Sequence, residues 1–288
     1  MDVQAEIRDF LRSCRERITP QDADLPVYGG TRRVPGLRRE EAAMLAGVSV
    51  EYYTKMERGH LGGVSESVLD ALARGLKLDD AEREHLFDLA RAAGPMPRTR
   101  RRRAHAVRPA VQQLVDVINA PAVIKNGRWD ILAANPLGYA LFSDVGAAPG
   151  RPANLGRYIF FDERSKSFYA DWDAAADDLV TLMRGEAGRD PHDRELTDLV
   201  GELATRSEPF RKRWGAHTIR TLHTGIRRVH HPIVGDLALS FEALDVRADP
   251  GLTVLVFSAE PGSTSDQALG LLGSWAATAA AEQQSPAG

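Results

Sequence analysis

The stretch from Leu37 to Gly59, LRREEAAMLAGVSVEYYTKMERG, constrains the fold more than any other part of the chain. Its alanines follow the spacing of one narrow buried stripe, which predicts a short helix over Arg38 to Ala46. Gly47 can adopt the left-handed backbone that ends such a helix, and Ser49 can cap the first free N–H groups of the next one. The sequence therefore predicts two short helices joined by a tight turn.

The second of these helices has two chemically different sides. Tyr53 and Met56 fall on the side that faces a core. Val50, Glu51 and Lys55 fall on the side that faces outward. Two packed helices with an exposed second helix form the helix-turn-helix pattern, in which that helix enters the major groove of DNA by its N-terminal end. The alternative is an ordinary helical hairpin whose only role is packing.

The runs Ala46–Ser49 and Met56–Gly59 read Ala-Gly-Val-Ser and Met-Glu-Arg-Gly. With these runs the stretch resembles the XRE-type helix-turn-helix regulators, the class that contains the phage repressors and Cro. The resemblance implies a lambda-repressor-like domain made only of helices. Apolar stripes and caps predict five helices over residues 1–93, of which the first covers residues 3–18 and the last two open at Ser65 and Asp79.

The motif assigns a role in DNA binding to each exposed position. Lys55 can donate to guanine, Glu51 can accept from cytosine, and Val50 can touch a thymine methyl group. Other nearby side chains are assigned to phosphates, which fix the register of the protein on the duplex. These are Arg38 and Arg39 at the start of the first motif helix, Tyr52 and Arg58 on the second, and Arg32 and Arg33 in the loop before the motif. For the two loop arginines, simple solvation is the alternative.

Charge gives this half of the chain no general attraction to nucleic acid. Residues 1–93 contain 14 Lys and Arg against 17 Asp and Glu, and the whole chain carries a net charge of −3. Any affinity for DNA must therefore come from a local cationic patch. The next segment, residues 94–108, contains six arginines and no acid. It is predicted to be a linker, either a solvated spacer or an arm that tracks phosphates.

Beyond residue 108 the pattern changes to a mixture of strands and helices. The predicted strands are Ala122–Lys125, Trp129–Ala133, Gly225–Val229, Asp236–Val246 and Leu252–Ser258. The predicted helices are Val111–Ile118, Asn135–Phe142, Asn154–Phe161, Phe168–Met183, Pro191–Thr205, Glu208–Trp214 and Gln267–Ala281. Asn126-Gly127 predicts a two-residue hairpin turn, and Asp249–Gly251 predicts the turn before the last strand.

This chain order is typical of a PAS-like fold, with one five-stranded antiparallel sheet whose helices cover one face. The whole chain is therefore predicted to be α+β, with an all-α domain followed by this second domain.

Further runs extend the resemblance over nearly the whole chain. They are Tyr28–Glu41, Val50–Thr54, Asn135, Trp214–His217 and His231–Gly235. The order of an XRE domain, an Arg-rich linker and this second half is similar to that of the MmyB-like family of actinobacterial regulators. The resemblance implies that residues 109–281 form a PAS-like domain for ligand binding and dimerisation. Residues 282–288 are expected to be a disordered tail.

A pocket for a small, lipophilic molecule needs an apolar wall and a few placed polar groups. The residues predicted to form it are Tyr139, Phe142, Phe168 and Trp172 for the wall, and Trp214, His217 and Arg220 for the mouth and the polar end. Arg220 could meet a carboxylate of the ligand. For each aromatic side chain the alternative is a plain role in the core.

No sequence pattern indicates catalysis, a metal or another cofactor. The nucleophile-elbow, phosphate-loop, dinucleotide and metalloprotease motifs are all missing from the sequence. His230 and His231 are neighbours on a predicted strand and point to opposite faces, so they cannot share one ion. Two alternatives to a ligand-controlled regulator remain: a constitutive DNA binder whose second half only dimerises, and an enzyme fused to a helix-turn-helix domain.

No apolar run approaches the ~18–20 residues of a membrane span, and the charged first residues do not resemble a secretory signal. Cys14 is the only cysteine, which excludes an internal disulfide and fits a reducing cytoplasm. We expect a cytoplasmic, nucleoid-associated homodimer whose partners are operator DNA and a small-molecule effector. Its two half-sites would lie about 34–36 Å apart.

Overall fold

The computed structural model describes residues 2–23, 25, 36–94, 106–146, 152–191, 193–216 and 224–284. The chain divides into two compact units. The first contains Met1–Arg98, Arg184–Asp198 and Lys212–Thr221, and the second contains Thr99–Met183, Leu199–Arg211 and Leu222–Gly288. Among the described helices, none combines the length and the apolar composition that a membrane crossing requires.

Among the described residues up to 94, the chain forms five helices around one core. They are α1 (Val3–Arg17), α2 (Arg39–Leu45), α3 (Val50–Glu57), α4 (Glu66–Gly75) and α5 (Asp80–Ala93). Each helix contributes buried apolar side chains to the same cluster, among them Phe10, Ala43, Tyr53, Leu72 and Leu86. The predicted five-helix domain is confirmed. Amphipathic helices of this kind bury their apolar stripes by packing against one another.

The turn between α2 and α3 has the local structure that the sequence predicts. Gly47 adopts a positive φ of 65°. The hydroxyl of Ser49 accepts a hydrogen bond of 3.1 Å from the N–H of Tyr52, and so caps α3. At α4, by contrast, Ser65 occupies the N-cap position but its hydroxyl bonds to that of Ser67 instead.

In the described part of the second unit, five strands form one antiparallel sheet. They are β1 (Ala122–Asn126), β2 (Ile131–Ala134), β3 (Thr224–His231), β4 (Gly235–Asp245) and β5 (Leu252–Ser258), in the order β2-β1-β5-β4-β3. The predicted sheet is confirmed, and β5 lies at its centre. Phe241 of β4 pairs with Phe257 of β5, and Leu255 of β5 pairs with Val123 of β1.

The helices that accompany the sheet are α6 (Pro109–Asp116), α7 (Pro136–Leu141), α8 (Leu155–Phe161), α9 (Arg164–Phe168), α10 (Trp172–Arg189), α11 (Arg194–Arg206), α12 (Glu208–Gly215) and α13 (Thr264–Gln284). α13 ends three residues beyond the predicted limit at Ala281. Helices contact both faces of the sheet, not one. The ring of Phe257 faces Phe142 at the end of α7, whereas Val254 points the other way and packs in a cluster with Val111 and Val115 of α6.

The connection between β1 and β2 is longer than the predicted two-residue turn. Trp129 has a positive φ of 66° and lies before β2, whereas the prediction placed it in the strand. Its N–H donates to the carbonyl of Asn126 at 3.0 Å. The side-chain oxygen of Asn126 accepts from the N–H groups of Arg128 and Asp130. These side-chain hydrogen bonds stabilise a wider loop and replace the tight Asn-Gly turn.

The predicted helix over Phe168–Met183 is interrupted at its start. α9 ends at Phe168 and α10 begins only at Trp172. Between them Tyr169 forms an antiparallel bridge with Val229, and the N–H of Ala170 donates to the carbonyl of Arg228 at 3.2 Å. The chain therefore pairs with the edge of β3 at this point, and the backbone hydrogen bonds of a continuous helix cannot form there.

Cys14 provides a test of the helical core. Its side chain is 2% exposed, and burial raises the pKa of the thiol to about 12. Because the thiolate is the reactive form, we expect no reaction with iodoacetamide at pH 8 in the native protein and complete reaction in denaturant. Mass spectrometry measures both. Rapid labelling of the native protein would contradict the burial of α1.

Candidate nucleic-acid interface and ligand site

α3 presents different side chains to the core and to solvent. Tyr53 and Met56 are completely buried. Val50 is 44% exposed, and Glu51 and Lys55 are exposed beside it. The surface that could enter a groove of DNA is therefore free, as the helix-turn-helix geometry requires.

Cationic groups are available at the edge of this surface. Lys55 and Arg58 are both exposed, and neither makes an ion pair with any residue that the structure describes. Arg38 lies 3.5 Å from Glu40, but both side chains are largely in solvent, where such a pair contributes little. Tyr52 is half-buried and packs on the helical core.

A buried carboxylate holds α3 in place from behind. Glu57 is 3% exposed, and its Oε1 accepts from Nη2 of Arg15 at 3.0 Å. Arg15 is buried as well, and its Nη1 donates to the carbonyl of Leu37 at 2.7 Å. A buried charge must be paired, because an unpaired one carries a large desolvation cost. The three groups therefore connect α1, the segment before α2 and the end of α3 in one arrangement.

Arg39 shares this carboxylate. Its Nε donates to Oε2 of Glu57 at 2.9 Å, while its side chain remains 55% exposed. The sequence predicts a phosphate contact for Arg39, and the exposed edge of the guanidinium is still open to one. The hydrogen bond to Glu57 also orients the side chain of Arg39. Sequence reasoning missed Glu57, because its burial depends on the pair with Arg15, 42 residues earlier in the chain.

Gly59 brings the end of α3 against α1. It has a positive φ of 101°, and a Cβ at this position would lie 2.6 Å from the carbonyl oxygen of Gln4. Neither the backbone conformation nor the space admits another residue. The glycine that ends the motif is therefore required for the packing of the recognition helix.

Several predicted site residues lie outside the described residues. They are Arg32 and Arg33 of the loop before α2, His217 and Arg220 after α12, and residues 95–105 of the Arg-rich linker. Their roles stay predictions.

In the second unit, aromatic rings gather between the sheet and its helices. We call this group the aromatic cluster; its members are Phe142, Tyr158, Phe168, Tyr169, Phe241 and Phe257. Adjacent ring centroids lie 5.0 to 6.5 Å apart, the range of favourable aromatic contacts. His231 of β3 borders the cluster, and its Nε2 lies 3.0 Å from the carbonyl of Ala140.

The predicted pocket wall is brought together only in part. Phe142 and Phe168 are neighbours, with centroids 6.2 Å apart. Tyr139 is 57% exposed, because the inward positions of α7 belong to Gly138, Ala140 and Leu141. Tyr139 therefore does not line the cluster.

The two predicted tryptophans also lie elsewhere. Trp172 packs on Phe160 at 5.9 Å, and its indole N–H donates to the carbonyl of Ile159 at 3.1 Å. Trp214 belongs to the first unit, where the guanidinium of Arg184 lies 4.3 Å from its ring centroid. Neither is a member of the aromatic cluster.

Tyr158, which the sequence analysis did not single out, supplies the cluster with a polar group. The residue is 4% exposed, and its hydroxyl has no hydrogen-bond partner among the described residues. Burial raises the pKa of the Tyr158 hydroxyl well above its usual value, so the group is neutral. An unsatisfied buried hydroxyl costs about 1–3 kcal/mol. A bound molecule with a polar group could remove that cost.

Comparison with known families covers both units. Residues 107–272, well over half of the chain, match the family model of the MmyB-like transcription regulator ligand binding domain. Residues 6–86 match that of a helix-turn-helix domain. A comparison with curated proteins finds no match. The resemblance drawn from the sequence runs is thus confirmed for the second half as well as for the motif.

Proposed function

Because the chain belongs to the family of MmyB-like transcription regulators, we propose that a small, lipophilic molecule bound in its second unit controls its affinity for an operator. That the chain is a DNA-binding transcription regulator follows from the two family matches. The observation that carries the operator-binding part of the proposal is the outer face of α3, where Val50, Glu51 and Lys55 are exposed together. The protein would act in the cytoplasm as a homodimer, with one α3 in each half-site.

The proposed reading of bases uses three side chains. Lys55 donates to guanine, Glu51 accepts from the amino group of cytosine, and Val50 contacts a thymine methyl group. Arg38, Arg39 and other exposed cations contact phosphates, which supply affinity without sequence preference. The absence of an ion pair at Lys55 among the described residues supports its assignment, since no charge must be released before it meets a base.

Replacing Lys55 with alanine is expected to weaken binding to the preferred duplex by about 1–3 kcal/mol and to relax base preference at one position. Fluorescence anisotropy with the preferred duplex and a shuffled duplex measures both effects. Lys166→Ala is the matched control, because Lys166 is an exposed lysine of the second unit. Equal losses on both duplexes would remove Lys55 from base reading.

Replacing Arg39 with glutamine is expected to weaken binding to all duplexes alike. Loss of one phosphate contact should reduce the slope of log K against log salt by about 0.9. The measurement is a titration at several salt concentrations. Glu57 keeps its bond to Arg15 in this variant, and thermal unfolding checks that the loss of the Arg39–Glu57 pair leaves the domain folded. An unchanged slope would show that Arg39 does not contact phosphate.

The aromatic cluster supports the ligand part of the proposal. It combines an apolar wall with the buried hydroxyl of Tyr158, which lacks a hydrogen-bond partner among the described residues. Small-molecule sites likewise contain a few polar groups in an apolar surrounding. The expected ligand therefore has an apolar body and a polar group. Control of DNA binding further requires that it favour one of two arrangements of the protein.

A thermal-shift panel of lipophilic alcohols and acids tests this part. A ligand at one hundred times its Kd should stabilise the protein by about 2.7 kcal/mol, and Tyr158→Phe should reduce the shift because it removes only the hydroxyl. No shift with any compound would favour a constitutive DNA binder instead.

A further inference from the structure

Between Gln267 and Thr278 the outer face of α13 carries no charge, whereas Asp266 in the first turn is charged and exposed. From Gln267 to Ala281 the sequence contains no Asp, Glu, Lys or Arg. The inner side of the helix is buried through Leu269 and Leu272. On the outer side Leu271 is 66% exposed and Trp275 is 43% exposed. A surface helix normally places charged residues opposite its apolar face, and this part of α13 does not.

Six of the exposed residues of α13 form one continuous stripe. We call it the α13 stripe; it consists of Gln267, Gly270, Leu271, Ser274, Trp275 and Thr278. Steps of three and four residues place all of them on one side of a helix. Along the stripe the large side chains of Leu271 and Trp275 stand beside the small residues Gly270 and Ser274. A helix of the same sequence can therefore set its large side chains into the space above the small ones.

We propose that the α13 stripe is the surface through which two copies of this chain pair. A two-fold contact brings the same patch of both subunits together, so a charged patch would face its own like charges. The α13 stripe avoids this repulsion. The open face of β4 does not, since Asp236 and Glu242 are exposed there. The stripe also contains Trp275, and tryptophan is among the residue types enriched near the centres of protein interfaces.

The partner is a second copy of this chain, because a symmetric operator is read by two copies of α3. One α3 covers one half-site, and a symmetric operator is read by two of them related by a two-fold axis. The inference therefore rests on the proposed function and names the surface that would form the pair.

The α13 stripe is also connected to the aromatic cluster. α13 lies on α7, where a Cβ on Gly273 would be 3.3 Å from the side chain of Leu137. α7 leads directly into Phe142, whose ring contacts Phe168 and Phe257. A change in the packing of the cluster would therefore reach the pairing surface through a single short helix.

The first test introduces charge into the stripe of the full chain. Sedimentation velocity over a range of concentrations measures the dissociation constant of the pair. Leu271→Glu and Trp275→Glu should each raise it by about a hundredfold or more, because the substitution places two like charges against each other in the contact. Val117→Glu is the matched control, since Val117 of the second unit is 77% exposed and lies outside the stripe. It should leave the dissociation constant unchanged.

A second test does not depend on how well the charged variants fold. Ser274→Cys places a thiol in the middle of the stripe, and the native Cys14 is buried. Mild oxidation should convert this variant into a disulfide-linked pair that is visible on a non-reducing gel. Ser258→Cys, at an exposed position at the end of β5, should remain unlinked.

The outcomes separate this inference from the proposed function. Weakened pairing in both charge variants and cross-linking through Ser274→Cys would support it, provided that all variants still bind a duplex with one half-site. A pair that forms as before in both charge variants, without cross-linking, would overturn it and leave the proposed function in place. A wild-type chain that is monomeric at every concentration would overturn it too. Failure of the wild type to bind any duplex would instead overturn the proposed function.

Discussion

Replacing Glu57 with alanine should destabilise the five-helix domain by about 3–5 kcal/mol. The substitution removes the carboxylate that pairs with Arg15 at 3.0 Å, where the side chains of Arg15 and Glu57 are 7% and 3% exposed. The charge of Arg15 would then remain buried, and its carboxylate partner among the described residues would be Glu16, 3.9 Å away and 41% exposed. Because a domain of this size is stable by only about 5–15 kcal/mol, much of its stability would be lost. Urea unfolding followed by circular dichroism measures the change, and iodoacetamide labelling of Cys14 reports it locally.

Asp9→Ala is the control for this prediction. Asp9 of α1 pairs with Arg8 at 3.1 Å, but its side chain is 42% exposed, so its removal should cost about 0–1 kcal/mol. A loss below 1 kcal/mol at Glu57 as well would show that the network behind α3 does not hold the domain together. Replacing Arg15 and Glu57 together by apolar residues of similar volume should restore much of the stability.

Asn135→Ala is the second substitution with a large expected effect. Asn135 is 2% exposed. Its Oδ1 accepts from the N–H groups of Ala122 at 3.1 Å and Gly138 at 2.8 Å. Its Nδ2 donates to the carbonyls of Ile118 at 3.0 Å and Ala120 at 2.7 Å. One side chain thus connects the segment before β1, the strand itself and the start of α7.

Each buried partner that Asn135 leaves unsatisfied costs about 1–3 kcal/mol. We therefore expect Asn135→Ala to destabilise the second unit by about 3 kcal/mol or more, measured by denaturant unfolding of the full chain with a probe in the second unit. Ser143→Ala, at an exposed position just after α7, should be close to neutral. If the two variants were equally stable, Asn135 could not be the connection between β1 and α7.

The slight excess of acid in the first 93 residues is compatible with DNA binding because of where the acids lie. Glu57 forms ion pairs with Arg15 and Arg39. Asp70 is paired with Arg83 at 2.6 Å on α4 and α5. These carboxylates are neutralised locally, while Lys55 and Arg58 have no ion-pair partner in the described part of the chain. A local patch can therefore attract phosphates although the net charge does not.

Local signals in the sequence predict most of the first unit. The left-handed backbone at Gly47, the cap at Ser49 and the inward direction of Tyr53 all depend on neighbours within a few residues, and all are confirmed. The five strands of the sheet are predicted from short apolar runs and turn residues in the same way. Such features are visible in one sequence because local chemistry determines them.

The predictions that differ from the structure concern contacts between distant residues. Pairing of Tyr169 with Val229 interrupts a helix whose own sequence favours continuation. At the connection between β1 and β2, Asn154 forms a bridge with Asp130 and donates to its side chain from 24 residues away, and a wider loop replaces the Asn-Gly turn. Sequence gives no measure of such tertiary contacts, which routinely outweigh local propensity.

The residues of the candidate site likewise divide into those that local sequence predicts and those that depend on tertiary contacts. The outer face of α3 can be predicted from helical spacing alone. Glu57 could not, because its burial depends on Arg15, 42 residues earlier in the chain. The unsatisfied hydroxyl of Tyr158 is likewise a property of the packed unit, since the ring of Tyr158 packs on Phe168 of α9 and on Tyr169.

Selection from a pool of randomised duplexes by the full chain tests the central claim most directly, namely that the outer face of α3 reads base sequence. The wild type should enrich one motif made of two inverted half-sites whose centres lie about 10 base pairs apart. The Glu51→Ala, Lys55→Ala double variant should lose the preference at the contacted bases while still binding DNA. A pool that stays random with the wild type, or the same motif enriched by the double variant, would contradict the account.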